Sequence, residues 1–227
     1  MVRIFLLLFA LIAWTAPARA DITATYRHPR MPVTITVEVA DNGNARMQFS
    51  TQEWWMQLVD GEAYAIYPRP GGSPRVVRFS DIERLFAERQ PGVPPTPNLQ
   101  GSSLVRRGET QVAGYRGAAY YMTLPTVGGI SPYPVLVISD DPALAALGRP
   151  IVRQLDLSIA IYRLANTPIP PVFVSVRDTI NGGAPLVFMG CEMLPLGRSP
   201  IDPARLRLPA PPLTLEELRA GGVPNIA

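Results

Sequence analysis

The chain of 227 residues contains no lysine, one cysteine (Cys191) and one histidine (His28). A single cysteine cannot form an internal disulfide, so stability must come from the burial of side chains. Zinc sites need several Cys or His ligands, and a phosphate-binding loop of the G-x-x-x-x-G-K type needs a lysine. We therefore predict that the protein holds neither a metal ion nor another cofactor.

The sequence also lacks a large excess of positive or negative charge. The 21 arginines and 18 acidic residues give a net charge of +3 and a pI near 9.3. Arg3 and Arg19 lie within residues 1–20, and without this segment 19 arginines face 18 acidic residues. The high pI follows from the very high pKa of arginine, so it does not indicate a nucleic-acid partner, and we expect none.

Residues 1–20 have the three parts of a secretory signal peptide. Arg3 supplies the positive charge, residues 4–14 form an apolar run, and residues 18–20 match the small-residue cleavage pattern. We predict cleavage before Asp21 and export to the periplasm. The apolar run is too short for a permanent membrane span. Residues 21–227 are expected to form a single β-rich domain.

The segments ITATYRH, PVTITVEV and ARMQFS alternate apolar with polar residues. This period of two, together with their β-branched residues, predicts half-buried antiparallel strands. A three-residue turn at residues 41–43 sets Val39 opposite Ala45 and Ile35 opposite Phe49, so that the apolar residues share one face. The last residue of such a turn should be glycine, as it is here.

The next predicted hairpin contains two adjacent tryptophans, Trp54 and Trp55. Neighbouring residues of a strand point to opposite faces of the sheet. A two-residue turn at residues 60–61 pairs Trp54 with Tyr67 and Trp55 with Ile66. Both faces of the hairpin are then largely apolar. We therefore expect a helix, a partner or a ligand to cover the second face.

Three helices are predicted: one after a capping box at residues 80–83, one after residues 140–142, and one from Thr214. The second should break near residues 148–150 and resume over residues 151–164. Further strands are expected in SLVRRGETQV, GAAYYMTL, PVLVIS, VFVSVRDTI, PLVFMGCEM and ARLRLP. The proline-rich stretches 91–97, 167–172 and 209–212 should be loops at the rim.

Large open sheets usually curl or split. The pattern therefore predicts a mainly β (α+β) fold, with a single strongly curved antiparallel sheet, or half-barrel, of about eleven strands. Helices should lie across its concave face.

No set of catalytic residues accompanies these elements. His28 ends a strand and has no serine in a G-x-S-x-G setting to pair with. Cys191 is expected to be a buried thiol, and helix capping explains Asp140 and Asp141. We predict that the protein is not an enzyme. A hydrolase with two carboxylates distant in sequence stays open.

Methionine and aromatic residues are frequent in the predicted strands. Methionine offers an adaptable, polarisable surface for hydrophobic guests, although cores and pockets use the same residue types. The residues expected to line a hydrophobic cavity are Trp54, Trp55, Met56, Tyr64, Ile66, Met122, Met189 and Met193.

Three later segments, GETQVAGYRGAAYYM, ISDDPALAALGRPIV and GAPLVFMGCEMLPLGRSPIDPARLRLPA, follow the leader and the strand meander. With them the chain resembles an uncharacterised family of proteobacterial periplasmic proteins, similar in architecture to the lipoprotein carriers LolA and LolB. The resemblance implies an open half-barrel, with helices on its concave side and an apolar cavity between. LolA-type carriers begin with a helix, whereas this chain enters a strand after residue 20, and no functional residue of the carriers is matched.

We therefore expect a non-catalytic periplasmic protein that binds a hydrophobic ligand, such as a lipid or an acyl chain, in a curved-sheet cavity. One alternative is a cell-envelope interaction module, whose sheet is filled by its own helices and whose partner is another envelope protein. The other alternative is the hydrolase.

Overall fold

The computed structural model describes residues 21–89, 103–124, 128–164, 166, 168–180 and 183–221. The predicted signal peptide and the proline-rich stretch 91–97 lie outside the described residues. The described part of the chain forms twelve strands, four α-helices and two 3₁₀ turns. No helix in this part is long and apolar enough to cross a membrane.

The strands are β1 (Ile22–Arg27), β2 (Thr34–Val39), β3 (Ala45–Phe49), β4 (Trp55–Val59), β5 (Glu62–Arg69), β6 (Gly72–Arg78), β7 (Leu104–Val112), β8 (Tyr115–Leu124), β9 (Gly129–Ile130), β10 (Leu136–Ser139), β11 (Ala184–Phe188) and β12 (Cys191–Met193). The helices are α1 (Phe79–Arg89), α2 (Gly148–Leu164), α3 (Pro171–Ile180) and α4 (Leu215–Gly221). The 3₁₀ turns are Ala145–Leu147 and Pro203–Leu206.

All of these strands belong to one antiparallel sheet that does not close into a barrel. Across its width the order is β6-β5-β4-β3-β2-β1-β12-β11-β10-β8-β7, and β9 pairs with β8. The first six strands and the last six therefore join where β1 pairs with β12. The predicted fold class, a mainly β protein with a single open antiparallel sheet and packed helices, is confirmed.

The sheet curves around the apolar face of its first three strands. Phe49 in β3 and Phe188 in β11 are four strand spacings apart, or about 19 Å in a flat sheet. Their ring centroids are nevertheless only 6.5 Å apart. The Tyr26 hydroxyl in β1 donates a hydrogen bond of 2.8 Å to the Pro185 carbonyl, two strands away. The face that carries these side chains is therefore concave.

Local turn chemistry sets the hairpin registers. Gly43 has a φ of +85°, and β2 pairs with β3 so that Val39 is opposite Ala45. In the next hairpin, Trp55 is opposite Ile66. Both registers are those predicted from the sequence.

Three predicted strands have a different structure, of which ARLRLP belongs to the C-terminal segment described below. VFVSVRDTI forms α3 because Pro171 suits the first turn of a helix, while Val176 and Ile180 are buried four residues apart on one helical face. The tertiary contacts of this face override the strand preference of its β-branched residues. PLVFMGCEM forms two strands instead of one, since Met189 and Gly190 both have positive φ and reverse the chain.

Two predicted helix starts also need correction. Helix α1 begins at Phe79, so Ser80 lies inside its first turn, where its hydroxyl donates to Glu62 Oε2 over 3.3 Å. The segment after residues 140–142 forms only the 3₁₀ turn Ala145–Leu147, and helix α2 begins at Gly148 rather than at residue 151, because a proline in the first turn removes no intrahelical hydrogen bond. The apolar stripe of α1 is buried: Ile82, Leu85 and Phe86.

Candidate functional site

The two adjacent indoles have different surroundings. Trp54 is buried on the concave face, with its ring centroid 5.9 Å from that of Tyr67. Trp55 is half-buried on the convex face, where the guanidinium of Arg46 lies 4.5 Å from the ring centroid. The indole Nε1 of Trp55 donates to Gln57 Oε1 over 3.4 Å. The two indoles therefore lie on opposite faces of the sheet.

A C-terminal strap, residues 201–213, covers the convex face. The Gln57 amide donates to the carbonyls of Arg205 and Arg207 over 3.2 and 2.8 Å. The guanidinium of Arg205 forms two hydrogen bonds of 3.0 Å with the buried carboxylate of Glu38. The second apolar face of the tryptophan hairpin is thus covered by the chain itself. The concave face is therefore the candidate site for a ligand.

The strap also extends along an edge of the sheet. The Leu213 N–H donates to the Val76 carbonyl over 2.8 Å, next to an isolated bridge between Val76 and Pro212. ARLRLP (residues 204–209), predicted to be a strand, begins inside a 3₁₀ turn, Pro203–Leu206, because Asp202 accepts a hydrogen bond from the Ala204 N–H and so starts the turn.

Between the concave face and the helices lies a cavity of about 150 Å³. Among the residues that the structure describes, its lining contains five aromatic side chains and no charged one. Six of the lining residues are half-buried, so the cavity reaches the surface. The lining residues are Phe49, Gln52, Trp54, Gln154, Leu155, Ser158, Ile161, Tyr162, Phe173, Phe188 and Met189. A void of this volume can hold a molecule the size of benzene.

Helices α2 and α3 form one wall of the cavity. The α2 residues recur at spacings of three and four, and hence share one face of the helix. The ring of Tyr162 meets Phe173 of α3 edge-on, with centroids 5.8 Å apart and an interplanar angle of 86°. The opposite wall is the sheet, from Phe49 and Trp54 to Phe188.

Two amide side chains interrupt the apolar lining. Gln154 is only 2% exposed, and its Nε2 donates to Ser158 Oγ over 3.4 Å. The Oε1 atoms of Gln154 and Gln52 are buried and have no hydrogen-bond partner among the described residues. An unpartnered buried polar atom costs about 1–3 kcal/mol. Both oxygens are packed against protein atoms and expose almost no surface to the cavity.

Four of the eight sequence-predicted lining residues lie on the concave face. Trp54 and Met189 line the cavity. Met56 is paired with Met47 and Met193 with Tyr26; both methionines belong to the core on the same side of the sheet and are almost completely buried.

The other four predicted residues are elsewhere. Trp55, Tyr64 and Ile66 belong to the convex face, because strand alternation separates them from Trp54. Met122 is half-buried in β8 and does not line this cavity. The residues missed by the sequence prediction are mostly those of α2 and α3. Their signal was the apolar stripe of α2, but its orientation toward the tryptophan hairpin depends on tertiary packing.

The side chains of His28, Cys191 and Asp141 either make hydrogen bonds that support the local backbone or are buried in the core. His28 Nδ1 accepts hydrogen bonds of 3.1 Å from the backbone N–H groups of Arg30 and Met31. Cys191 is 3% exposed, and burial raises the pKa of its thiol. Asp141 accepts a hydrogen bond of 2.8 Å from the backbone N–H two residues later. In the part of the chain that the structure describes, no group of three or more His, Cys, Asp or Glu side chains could hold a metal ion.

Comparison of the chain with protein-family models, curated proteins and solved structures found no match. Its function is therefore argued from the geometry of the cavity.

Proposed function

We propose that this protein is an exported, non-catalytic binding protein that holds a small hydrophobic molecule between its curved sheet and helices α2 and α3. The observation that carries the proposal is the cavity of about 150 Å³ with its five aromatic side chains and uncharged lining. Burial of apolar surface contributes about 25 cal/mol per Å². A single-ring guest would therefore gain a few kcal/mol, consistent with a dissociation constant on the order of 0.1–1 mM.

Export to the periplasm is part of the proposal. The predicted cleavage point fits the fold, since β1 begins at Ile22. The Asp21 carboxylate accepts hydrogen bonds from the backbone N–H groups of Ile201, over 2.7 Å, and Asp41, over 3.2 Å. Cleavage before Asp21 would leave these contacts intact. We also propose the architectural relationship to the LolA- and LolB-like carriers, supported by the open sheet with helices on its concave side.

Calorimetric titration of the full chain with toluene tests the proposal. Saturable binding is expected, because toluene matches the cavity in size and polarity. Ser158→Leu should abolish binding by filling the cavity from α2. Ser73→Leu makes the same change at an exposed position of β6 and should leave binding unchanged. Absence of toluene binding, or equal binding by both variants, would contradict the proposal.

A parallel titration with myristate tests the size of the ligand. A single ring fills a void of this volume, whereas a long acyl chain would have to extend out through the mouth. Binding of toluene without binding of myristate would restrict the ligand to ring-sized molecules. Competition between them would place the end of an acyl chain in the same cavity.

A second candidate function, a cell-envelope interaction module, is favoured by a surface patch formed by Arg30, Met31 and Tyr133. Met31 and Tyr133 are 52% and 57% exposed. The Arg30 guanidinium lies 4.6 Å from the Tyr133 ring centroid and donates to its hydroxyl. Aromatic residues, methionine and arginine are enriched at protein interfaces. Cross-linking to other envelope proteins tests this function. It would be supported by a defined envelope protein that cross-links to the wild type but not to the Tyr133→Ser variant, while toluene binding is unchanged. Equal cross-linking of the two proteins would contradict it.

A further inference from the structure

We propose that the ligand of the cavity is a neutral aromatic ring compound, and that the site discriminates against alicyclic and acyl molecules of the same size. This inference rests on the proposed function, since it names the chemical class of the molecule that the cavity would bind. It comes from the positions and mutual angles of the aromatic side chains in the lining.

The described part of the lining favours an uncharged guest. None of the eleven residues that the structure places around the cavity is charged. A carboxylate or an ammonium group that entered would lose its hydration without gaining a counter-ion, which is strongly unfavourable. The cavity volume of about 150 Å³ restricts the buried part of the ligand to about one ring.

Aromatic rings line both walls of the cavity. On the sheet side, Trp54 and Phe188 are buried and Phe49 is half-buried. On the helix side, Tyr162 of α2 and Phe173 of α3 are half-buried. A guest held between the two walls therefore contacts aromatic side chains on opposite sides.

The angle between the two rings of the helical wall favours a flat aromatic guest. The planes of Tyr162 and Phe173 stand at 86° to each other, with their centroids 5.8 Å apart. A flat guest that lies parallel to one of these rings is therefore perpendicular to the other. Offset-stacked and edge-to-face pairs are the two arrangements that aromatic rings prefer, because ring faces are negative and ring edges positive. An aromatic guest in contact with both side chains thus makes one favourable contact of each kind.

The rest of the lining offers an aromatic guest similar contacts. Phe49 and Phe188 are tilted by 55° with their centroids 6.5 Å apart, so they do not stack face to face with each other. The side chain of Met189 also lines the cavity, and methionine sulfur makes favourable contacts with the edges of aromatic rings. An alicyclic ring or an acyl chain has no π system, so it gains only burial and dispersion from the same side chains.

Calorimetric titration of the full chain with toluene and with cyclohexane tests the inference, because the two molecules are uncharged and closely similar in volume. Burial alone would favour cyclohexane, the more hydrophobic of the two. We expect toluene to bind roughly tenfold more tightly. Tyr162→Leu and Phe173→Leu each remove one ring of the edge-on pair and keep an apolar side chain in the wall. Each should reduce the preference for toluene, while retained cyclohexane binding shows that the variant is folded.

Tyr133→Leu is the matched control, since it makes the same change at a position that is 57% exposed and outside the cavity lining. It should change neither affinity. Wild-type binding of cyclohexane as tight as that of toluene, or tighter, would overturn the aromatic inference and leave the proposed function standing. A preference for toluene that persists unchanged in both cavity variants would also overturn it. Failure of both compounds to bind would overturn the inference and the proposed function together.

Discussion

Tyr26 and Tyr67 should make the native protein sensitive to alkali. Burial raises the pKa of both phenols well above the usual value of 10.0. In the unfolded chain these phenols lose their protons above about pH 10, whereas in the native protein they keep them. The unfolded state then binds fewer protons than the native state, so the free energy of unfolding falls as the pH rises above 10.

The size of this effect follows from the number of protons that the native protein keeps and the unfolded chain loses. Each lowers the free energy of unfolding by about 1.4 kcal/mol per pH unit, so the two tyrosines together lower it by about 2.7 kcal/mol per unit. Burial also raises the pKa of the Cys191 thiol above its usual 9.0, which lowers the free energy of unfolding at high pH in the same direction. A domain of ordinary stability, about 5–15 kcal/mol, should lose most of it within a few pH units.

Urea unfolding at several pH values between 8 and about 11.5 measures the slope, and absorbance at 295 nm counts ionised tyrosines. The absence of lysine removes the side chain that would otherwise titrate in this range. Tyr26→Phe should reduce the slope by about 1.4 kcal/mol per pH unit. It should also cost about 1–3 kcal/mol at neutral pH, because the Pro185 carbonyl loses its donor.

Tyr133→Phe, at a position 57% exposed, is the control, because it removes a hydroxyl from the surface rather than from the enclosed core. If all eight tyrosines of the chain ionised while the protein was still folded, the reasoning would be refuted. Tyr26 would then not be enclosed by the curved sheet.

Three further perturbations test other parts of the structure. Arg205→Met should destabilise the protein by about 1–2 kcal/mol, because it leaves the Glu38 carboxylate buried without its partner; the value allows for the half-exposed guanidinium. The double variant Glu38→Gln/Arg205→Met should recover part of this loss in urea unfolding, and zero coupling energy would show that the pair does not hold the strap. The Cys191 thiol should react with Ellman's reagent only after denaturation, since it is 3% exposed and burial raises its pKa; rapid reaction of the native protein would contradict its placement. Gly117→Ala should destabilise the protein by about 1–3 kcal/mol, because a Cβ there would lie 2.7 Å from the Ile138 carbonyl oxygen. Gly129→Ala is the control, since a Cβ at that position faces open space. Equal melting temperatures for the two variants would show that β8 and β10 are less closely packed.

Local parts of the fold could be predicted because their determinants are close together in the sequence. Strand alternation and the glycine of the first turn were sufficient to place Val39 opposite Ala45. The second turn likewise placed Trp55 opposite Ile66. In both cases a one-residue change of register would have moved every apolar side chain to the wrong face.

Features that depend on distant contacts could not be predicted in the same way. The sequence of the valine-rich α3 predicts a strand, because only its packing distinguishes a helical stripe from a buried strand. The strap was also missed, since Gln57 and Arg205 are 148 positions apart in the chain. The sequence predicts Trp54 in the cavity, which it lines, whereas the presence of Gln52 and Gln154 in the same lining depends on the curvature of the sheet under α2.

The central claim is that the space between the concave face and helices α2 and α3 admits an apolar guest. Methyl NMR of ¹³C-methionine-labelled protein during a toluene titration tests it most directly, because Met189 lines the cavity and Met31 is exposed elsewhere. The account predicts a saturable shift of the Met189 methyl resonance, caused by the ring current of the bound toluene, while the Met31 resonance stays fixed. An unchanged Met189 resonance, or equal and unsaturable shifts of both methyl groups, would contradict it.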